Sequence, residues 1–267
     1  MSPEAHHQLA ELPKKEFSVR KWLLTFVMIV GLFVSVQLTG AHMGIFFANI
    51  DQFLQIFVEM AKPDWGYIST ALPPLIETVK MAVLGTLFGS LVAFPYAFLI
   101  ARNVVKNRFV TGLFRFVLNI VRTIPDLLLG AIFVAIVGIG PVAGIISLAI
   151  FTFGMVGKLF YEAIETIDEG PIEALIAAGA NKLQIIHFAI FPQVMSYFVS
   201  YVLYAFEINV RASTVLGYIG AGGIGLYLQR SLSLYQYDQT GLIVIIIFAV
   251  VLVIDYVSNA SREALIK

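Results

Sequence analysis

EALIAAGANKLQIIHFAIFP, residues 173–192, is the stretch on which the reading of this chain turns. It is moderately polar, and strongly apolar spans flank it, roughly Val142 to Tyr161 before and Phe188 to Asn209 after. Glu173, Ala174, the small pair Ala177 and Ala178, and Gly179 predict a short amphipathic helix. Gly179 takes a positive φ at little steric cost, so the chain is expected to turn there into a second short helix that contains Asn181 and Lys182. A helix–turn–helix exposed at a membrane surface suits docking to a partner better than it suits chemistry.

Composition makes the surroundings of that stretch a membrane protein. The 267 residues are 59% hydrophobic and 13% charged, whereas soluble domains run to about 45–50% and about 25%. Long apolar runs, in place of short alternating segments, select helices over a β-barrel as the way to satisfy the backbone in lipid. The expected fold class is therefore all-α, a polytopic membrane protein. Formal net charge is zero, so no global field points to nucleic acid, and any electrostatics must be local. The chain has no cysteine, which excludes disulfides, thiol chemistry and thiolate metal sites. The polar residues before Trp22 lead into an apolar run without a small-residue cleavage site, so that run reads as a retained span.

About 20 apolar residues cross a bilayer, and six candidate spans meet that length. They are roughly Trp22 to Thr39, Leu72 to Ala101, Thr111 to Gly138 with a break near Pro125, Val142 to Tyr161, Phe188 to Asn209 and Gly241 to Ser258. An even count puts both termini on one side. Lys14, Lys15, Arg20 and Lys21 precede the first span; Arg102, Lys106, Arg108 and Arg115 follow the second; Arg262 and Lys267 follow the last. By the positive-inside rule both termini and the Glu173 stretch are expected in the cytoplasm. The loop from Ala41 to Thr70 is then external, with an interfacial helix. Glu77 in the first turn of the second span suits the helix dipole, with Lys80 as its expected partner. Gly85, Gly89 and Ser90, and likewise Gly140, Gly144 and Ser147, offer small surfaces for close helix packing.

The third span holds Arg122, Pro125 and Asp126 inside an otherwise apolar run. Two readings stand. One is a helix broken near Pro125 that lines a cavity. The other is a snorkelling Arg122 and a helix start with Pro125 at its first position. In the fifth span, Glu207 and Arg211 are i, i+4 neighbours and can pair, with Asn209 between them and Ser213, Thr214 and a glycine-rich turn beyond. Charges at such positions usually face a bundle interior or a water-filled path; the plainer reading is a neutralised structural pair near the outer interface.

Two motif matches carry no chemistry. Gly220-Ala-Gly222-Gly223-Ile-Gly225 satisfies GxGxxG, but it follows an apolar span and lacks the acid expected about twenty residues on. Gly154 to Lys158 is too short for a phosphate loop, and Leu159 stands where a magnesium-binding hydroxyl belongs. His6, His7, His42 and His187 have no metal-ligand spacing, and no Ser, His and Asp set converges. Neither a catalytic residue nor a metal site is expected.

The residues of the opening stretch resemble a known family, the permease subunits of binding-protein-dependent ABC importers. Its cytoplasmic loop reads E-A-A, three residues, Gly, nine residues, then I-x-L-P. Here Glu173, Ala174, Gly179 and Pro192 keep that register, while Leu175, Ala189 and Phe191 are apolar replacements. The phosphonate-type permeases are a closer likeness, through Arg122-Thr-Ile-Pro125-Asp126, Gly157-Lys158-Leu-Phe-Tyr-Glu162, Glu207-Ile-Asn209-Val-Arg211 and the run from Val215 to Gly225. The resemblance covers about Leu75 to Asp255.

It implies a cytoplasmic tail at 1–21, a peripheral helix and external loop at 22–70, and a type I importer transmembrane domain at 71–267 with a coupling helix near 170–187. Implied partners are a second copy of the chain, two ATP-binding subunits that hold ATP and magnesium, an external substrate-binding protein and membrane lipid, in a bacterial inner membrane. Glu173, Ala174, Ala178, Gly179, Asn181 and Lys182 would meet the ATPase. For phosphonate or a related phosphorus oxyanion, Arg122, Arg211, Ser213, Thr214 and the turn at Gly220, Gly222 and Gly223 would attract or contact the anion, with Pro125, Asp126, Glu207 and Asn209 also on the path. The competing class is an ion-gradient-driven carrier with Glu207 as the coupling carboxylate; a membrane hydrolase lacks a nucleophile and base.

Overall fold

A computed structural model describes residues 19–40 and 43–266. The expectations placed on Lys14, Lys15, His6, His7, His42 and Lys267 therefore lie outside the described residues. Two compact units divide between Gln55 and Ile56. In the first, α1 (Val19–Thr39) carries Arg20 and Lys21 in its first turn and is predominantly apolar from Trp22 on; at 1.5 Å per residue its span is about 30 Å, enough to cross a bilayer. It is followed by α2 (Met43–Ala48). Helix α3 (Ile50–Met60) bridges the division, with Ile50, Phe53, Leu54, Phe57 and Val58 on one stripe, the spacing of an amphipathic helix.

The second unit is built on α4 (Ile68–Ile100), α5 (Arg108–Thr123), α6 (Asp126–Val137) and α7 (Pro141–Glu165). The polypeptide continues through α8 (Gly170–Ala177), α9 (Lys182–Ile185), one π turn at Ile186–Ile190, α10 (Phe191–Tyr218), α11 (Ile224–Ser233) and α12 (Tyr237–Ile266). Five helical segments are long and apolar enough to span a membrane, and α5 with α6, bent by 85°, count as a sixth if the pair is taken as one broken span. Each of the six expected spans has a helical counterpart, the third as that bent pair, and the fifth runs on past Asn209 to Tyr218.

Helices α4 and α7 form the centre, and small residues explain why. A Cβ on Gly85 would lie 2.5 Å from Leu148 Cβ, and one on Gly89 2.6 Å from Thr152 Cβ. Further along, Ala93 packs with Val156, and Ala97 and Ala101 with Phe160 and Ile164. Each contact advances four residues on both helices, so the two run parallel. Gly, Gly, Ala, Ala and Ala at 85, 89, 93, 97 and 101 let the backbones close along the seam, as small residues do in lipid. Parallel neighbours need a return between them, which the broken α5–α6 span supplies. On its way α5 lays Leu118 against Gly157 and the Arg122 stem against Gly154, antiparallel to α7.

Helix α10 closes the bundle from the other side, antiparallel to α4 and α7. Val194 joins the cluster of Ala97 and Phe160, Ala205 that of Ala93 and Val156, and Leu216 that of Met81 and Leu148. Beyond the start of α7, α11 and α12 pack Ile224 and Ile243 on Ala71 and Leu75 of α4. At the opposite end Arg115 ties three helices. It pairs with Glu165, bonds the Ile100 carbonyl through Nε at 3.0 Å and Nη2 at 2.9 Å, and lies over the Tyr161 ring. In sequence, Arg115 served as an orientation marker alone. One expected pair is absent: Glu77 and Lys80 form no ion pair. Lys80 is exposed, whereas Glu77 is half-buried beside Gly222, because tertiary packing draws Glu77 towards the glycine turn.

Candidate functional site

Two places gather the residues singled out in the sequence. The first is the hairpin of α8 and α9. Helix α8 ends in a closed turn in which the Ala180 N–H donates to the Leu175 carbonyl at 3.0 Å and the Gly179 N–H to the Ile176 carbonyl at 3.0 Å. Gly179 sits at φ +78, the left-handed position such a terminus requires. Asn181 then caps α9 reciprocally: its Oδ1 accepts from the Gln184 N–H at 2.9 Å and its own N–H donates to Gln184 Oε1 at 2.8 Å. These two devices fix the angle between very short helices that could not hold themselves. Glu173, Ala174, Ala178, Gly179, Asn181 and Lys182 are all exposed, so the hairpin presents one outward surface.

The base of the hairpin is tied down by residues that sequence reasoning missed. Gln193 accepts from the Asp168 N–H at 3.1 Å and donates to the carbonyls of Asp168 at 3.3 Å and Ala189 at 2.9 Å. Asn103, in the loop after α4, donates to the Ile164 carbonyl at 2.5 Å. The available signal was Gln193 itself, a polar residue just after Pro192 in an apolar run.

The second place is the middle of the bundle. Asn209 Nδ2 donates to Thr86 Oγ1 at 2.8 Å and Thr152 Oγ1 at 2.6 Å. All three residues are buried, so Asn209 joins α10 to both central helices through one amide. Thr86 is about 27 Å along α4 from Ile68 and about 21 Å from Ile100 at 1.5 Å per residue. This level is mid-bundle. Glu207 and Arg211 flank Asn209, so their pair belongs there and not near an outer interface. The expected pair between them forms. Unforeseen is Arg262, from near the end of α12, whose Nη2 donates to the other carboxylate oxygen of Glu207 at 3.0 Å. Fifty-five residues separate Glu207 from Arg262, and no local pattern signals such a contact.

The remaining singled-out residues do not share that cluster. Arg122 and Pro125 are exposed at the α5–α6 bend, and Arg122 makes no ion pair among the described residues. The chain both bends by 85° and starts a helix there, so features of both readings coexist. Pro125 is, however, the residue before the first helical position, and Asp126 holds that position. Asp126 Oδ1 accepts from the Leu127 N–H at 2.9 Å. Ser213 is buried and donates to the Val210 carbonyl at 2.9 Å; Thr214 does the same at 3.3 Å.

In the glycine turn, Gly220, Gly222 and Gly223 have φ of +94, +85 and +74. The N–H groups of Gly220 and Ala221 return to the carbonyls of Gly217 at 3.0 Å and Leu216 at 3.2 Å, and that of Ile224 donates to Thr78 Oγ1 at 2.7 Å. A Cβ on Gly217 would stand 2.5 Å from the Gly222 carbonyl oxygen. The turn is folded hard against the end of α10.

A bundle of membrane-length helices with a rigid polar hairpin at one end and an ion cluster at mid-depth defines a membrane transport component. The match to known proteins is specific. The chain belongs to the family of binding-protein-dependent transport system inner membrane components, whose pattern it matches over residues 85–267. It is 42% identical over 205 residues to the phosphite transport system permease protein PtxC of Stutzerimonas stutzeri, covering 77% of this chain and 74% of that one. It is 37% identical over 212 residues to the phosphate-import permease protein PhnE of Mycolicibacterium smegmatis, covering 79% of this chain and 40% of the relative. Its fold resembles a chain of the MetNI methionine ABC transporter in an inward-facing conformation, with a TM-score of 0.66, 22% identity and coverage of 76% and 99%.

Proposed function

We propose that this chain is the transmembrane subunit of an ATP-driven importer for phosphite, phosphonate or a related phosphorus oxyanion. It works as two copies with two separate ATP-binding subunits, which hold the ATP and magnesium, and an external binding protein delivers the substrate. The observation that carries the reading is the hairpin at residues 170–187, exposed along its outer surface yet rigidly closed by the Gly179 turn and the Asn181 cap. A lever that transmits motion between subunits needs those two properties together. The names of the relatives, phosphite and phosphate permeases, support the substrate class.

Both termini and the hairpin face the cytoplasm on this reading, because basic residues concentrate at that end. The segment at 22–70 is peripheral to the transmembrane domain at 71–267. The path runs along the face of α10 on which Tyr204, Arg211, Val215 and Tyr218 are exposed. A guanidinium exposed at mid-depth is tolerated where it meets water or another protein surface, not lipid. An ion-gradient carrier working through Glu207 fits poorly, since two guanidiniums already occupy that carboxylate. The test is uptake of phosphite and methylphosphonate into proteoliposomes that contain the chain, its ATPase and its binding protein. Uptake should require ATP and both partners; uptake by the chain alone under an ion gradient would refute the proposal.

A further inference from the structure

Glu207 faces two guanidiniums, and the two are held very differently. Its side chain is 9% exposed and that of Arg262 21%, whereas that of Arg211 is 53% exposed. Arg262 is also bonded to Asn259 Oδ1 at 2.6 Å and lies over the Tyr204 ring. Among the described residues Arg211 bonds to Glu207 alone. The carboxylate is thus anchored from behind by one arginine and shared with a second that reaches outward.

The cluster holds two cations and one anion, since no other acid among the described residues pairs with it. An uncompensated positive charge at mid-depth is costly, and one further anion would remove it. We propose that Glu207 is an internal stand-in for the transported anion. It occupies Arg211 while the path is empty and yields that guanidinium to an arriving phosphorus oxyanion, while Arg262 retains the carboxylate. The inference rests on the importer reading above.

The exchange is chemically even-handed, because the planar guanidinium fork accepts carboxylate and phosphorus oxyanions in the same bidentate manner. It also ends in charge balance. Before it, one carboxylate serves two arginines; after it, Glu207 with Arg262 and a monoanion with Arg211 are two neutral pairs. The exchange removes the unmatched positive charge and strands no new one, which is the condition under which breaking an ion pair in a low-dielectric site is not prohibitive. A neutral or cationic solute gains nothing from Arg211 and leaves the cluster closed, so the device selects by sign of charge.

The experiment uses the full complex with its ATPase in lipid nanodiscs, without binding protein, and reads the 31P NMR line width of added methylphosphonate. Glu207→Gln unmasks Arg211 and should raise the excess broadening at least threefold. Arg262→Gln leaves the carboxylate to Arg211 alone, deepens the masking and should lower the broadening by a similar factor. Arg211→Gln should abolish it. A purely structural ion cluster predicts instead that the first two variants move together, losing thermal stability with unchanged line widths, and that result overturns the proposal. If Glu207→Gln fails to assemble with the ATPase, Glu207→Asp, which keeps the charge but shortens its reach, should still raise the broadening about twofold; no rise overturns the proposal equally. The importer reading is tested apart from this by ATP-driven uptake in the wild type. No uptake removes that reading, whereas uptake with equal line widths in both variants removes the exchange alone.

Discussion

Replacing Gly89 by alanine adds a single methyl group at a tight point of the α4–α7 seam. A Cβ there would lie 2.6 Å from Thr152 Cβ and 3.0 Å from the Phe153 backbone nitrogen. Carbon atoms rest at about 3.5–4.0 Å, so the helices must separate locally by about 1 Å. Neither obstacle is the far end of a flexible side chain, and the neighbouring Gly85–Leu148 contact, at 2.5 Å from an added Cβ, must open as well. Overpacking of this kind costs about 1–3 kcal/mol. Separation would also stretch the Asn209 bonds to Thr86 and Thr152, since Thr152 is the residue displaced. The opposite expectation is equally definite: an alanine in place of a glycine that merely weakens a helix is stabilising by about 1 kcal/mol. Thermal unfolding followed by circular dichroism in detergent separates the two. Gly89→Ala should lower the midpoint, and Gly85→Ala with Gly89→Ala should fall short of the sum because the sites share one seam. A midpoint equal to or above the wild type would refute the packing argument.

Other expectations follow from single contacts. Arg115→Ala removes the pair with Glu165 and two bonds to the Ile100 carbonyl, and should destabilise by about 1.5–3 kcal/mol, the scale of hydrogen bonds to charged groups; the same melt checks it. Gly179→Ala places a side chain at φ +78 and should cost about 1–2 kcal/mol locally, weakening co-purification of the ATPase while helix content stays constant. Glu173→Lys, exposed and outside any buried contact, should leave the melt unchanged and reduce coupled ATP hydrolysis; normal coupling would remove the docking role of α8. Asn209→Leu loses two buried hydrogen bonds, each worth about 0.6 kcal/mol in membrane helices, and should lower both stability and uptake.

Much of this molecule was legible without coordinates, because the bilayer makes local rules decisive. Where water is absent, apolar runs of sufficient length must be helices, so the six spans and the break near Pro125 follow from order and composition alone. The hairpin was legible for a related reason. Gly179 and Asn181 act within one turn of themselves, and their hydrogen bonds are closed by near neighbours in the chain. The i, i+4 pair of Glu207 and Arg211 belongs to the same class.

What the tertiary structure alone decided concerns contacts between residues far apart in the chain. That α4 and α7 run parallel in close register depends on which glycine meets which neighbour. The partners of Asn209 lie 123 and 57 residues away, and Arg262 reaches Glu207 across 55. The glycine turn matched a nucleotide fingerprint in sequence, yet its backbone packs against the end of α10 and Pro141. Sequence by itself determined where the helices are and which short turn stands outside them, since hydrogen bonding and hydrophobic length act locally. Only the fold decided which charges meet, because a carboxylate at mid-depth is completed by whatever guanidinium the packing of another helix delivers to it.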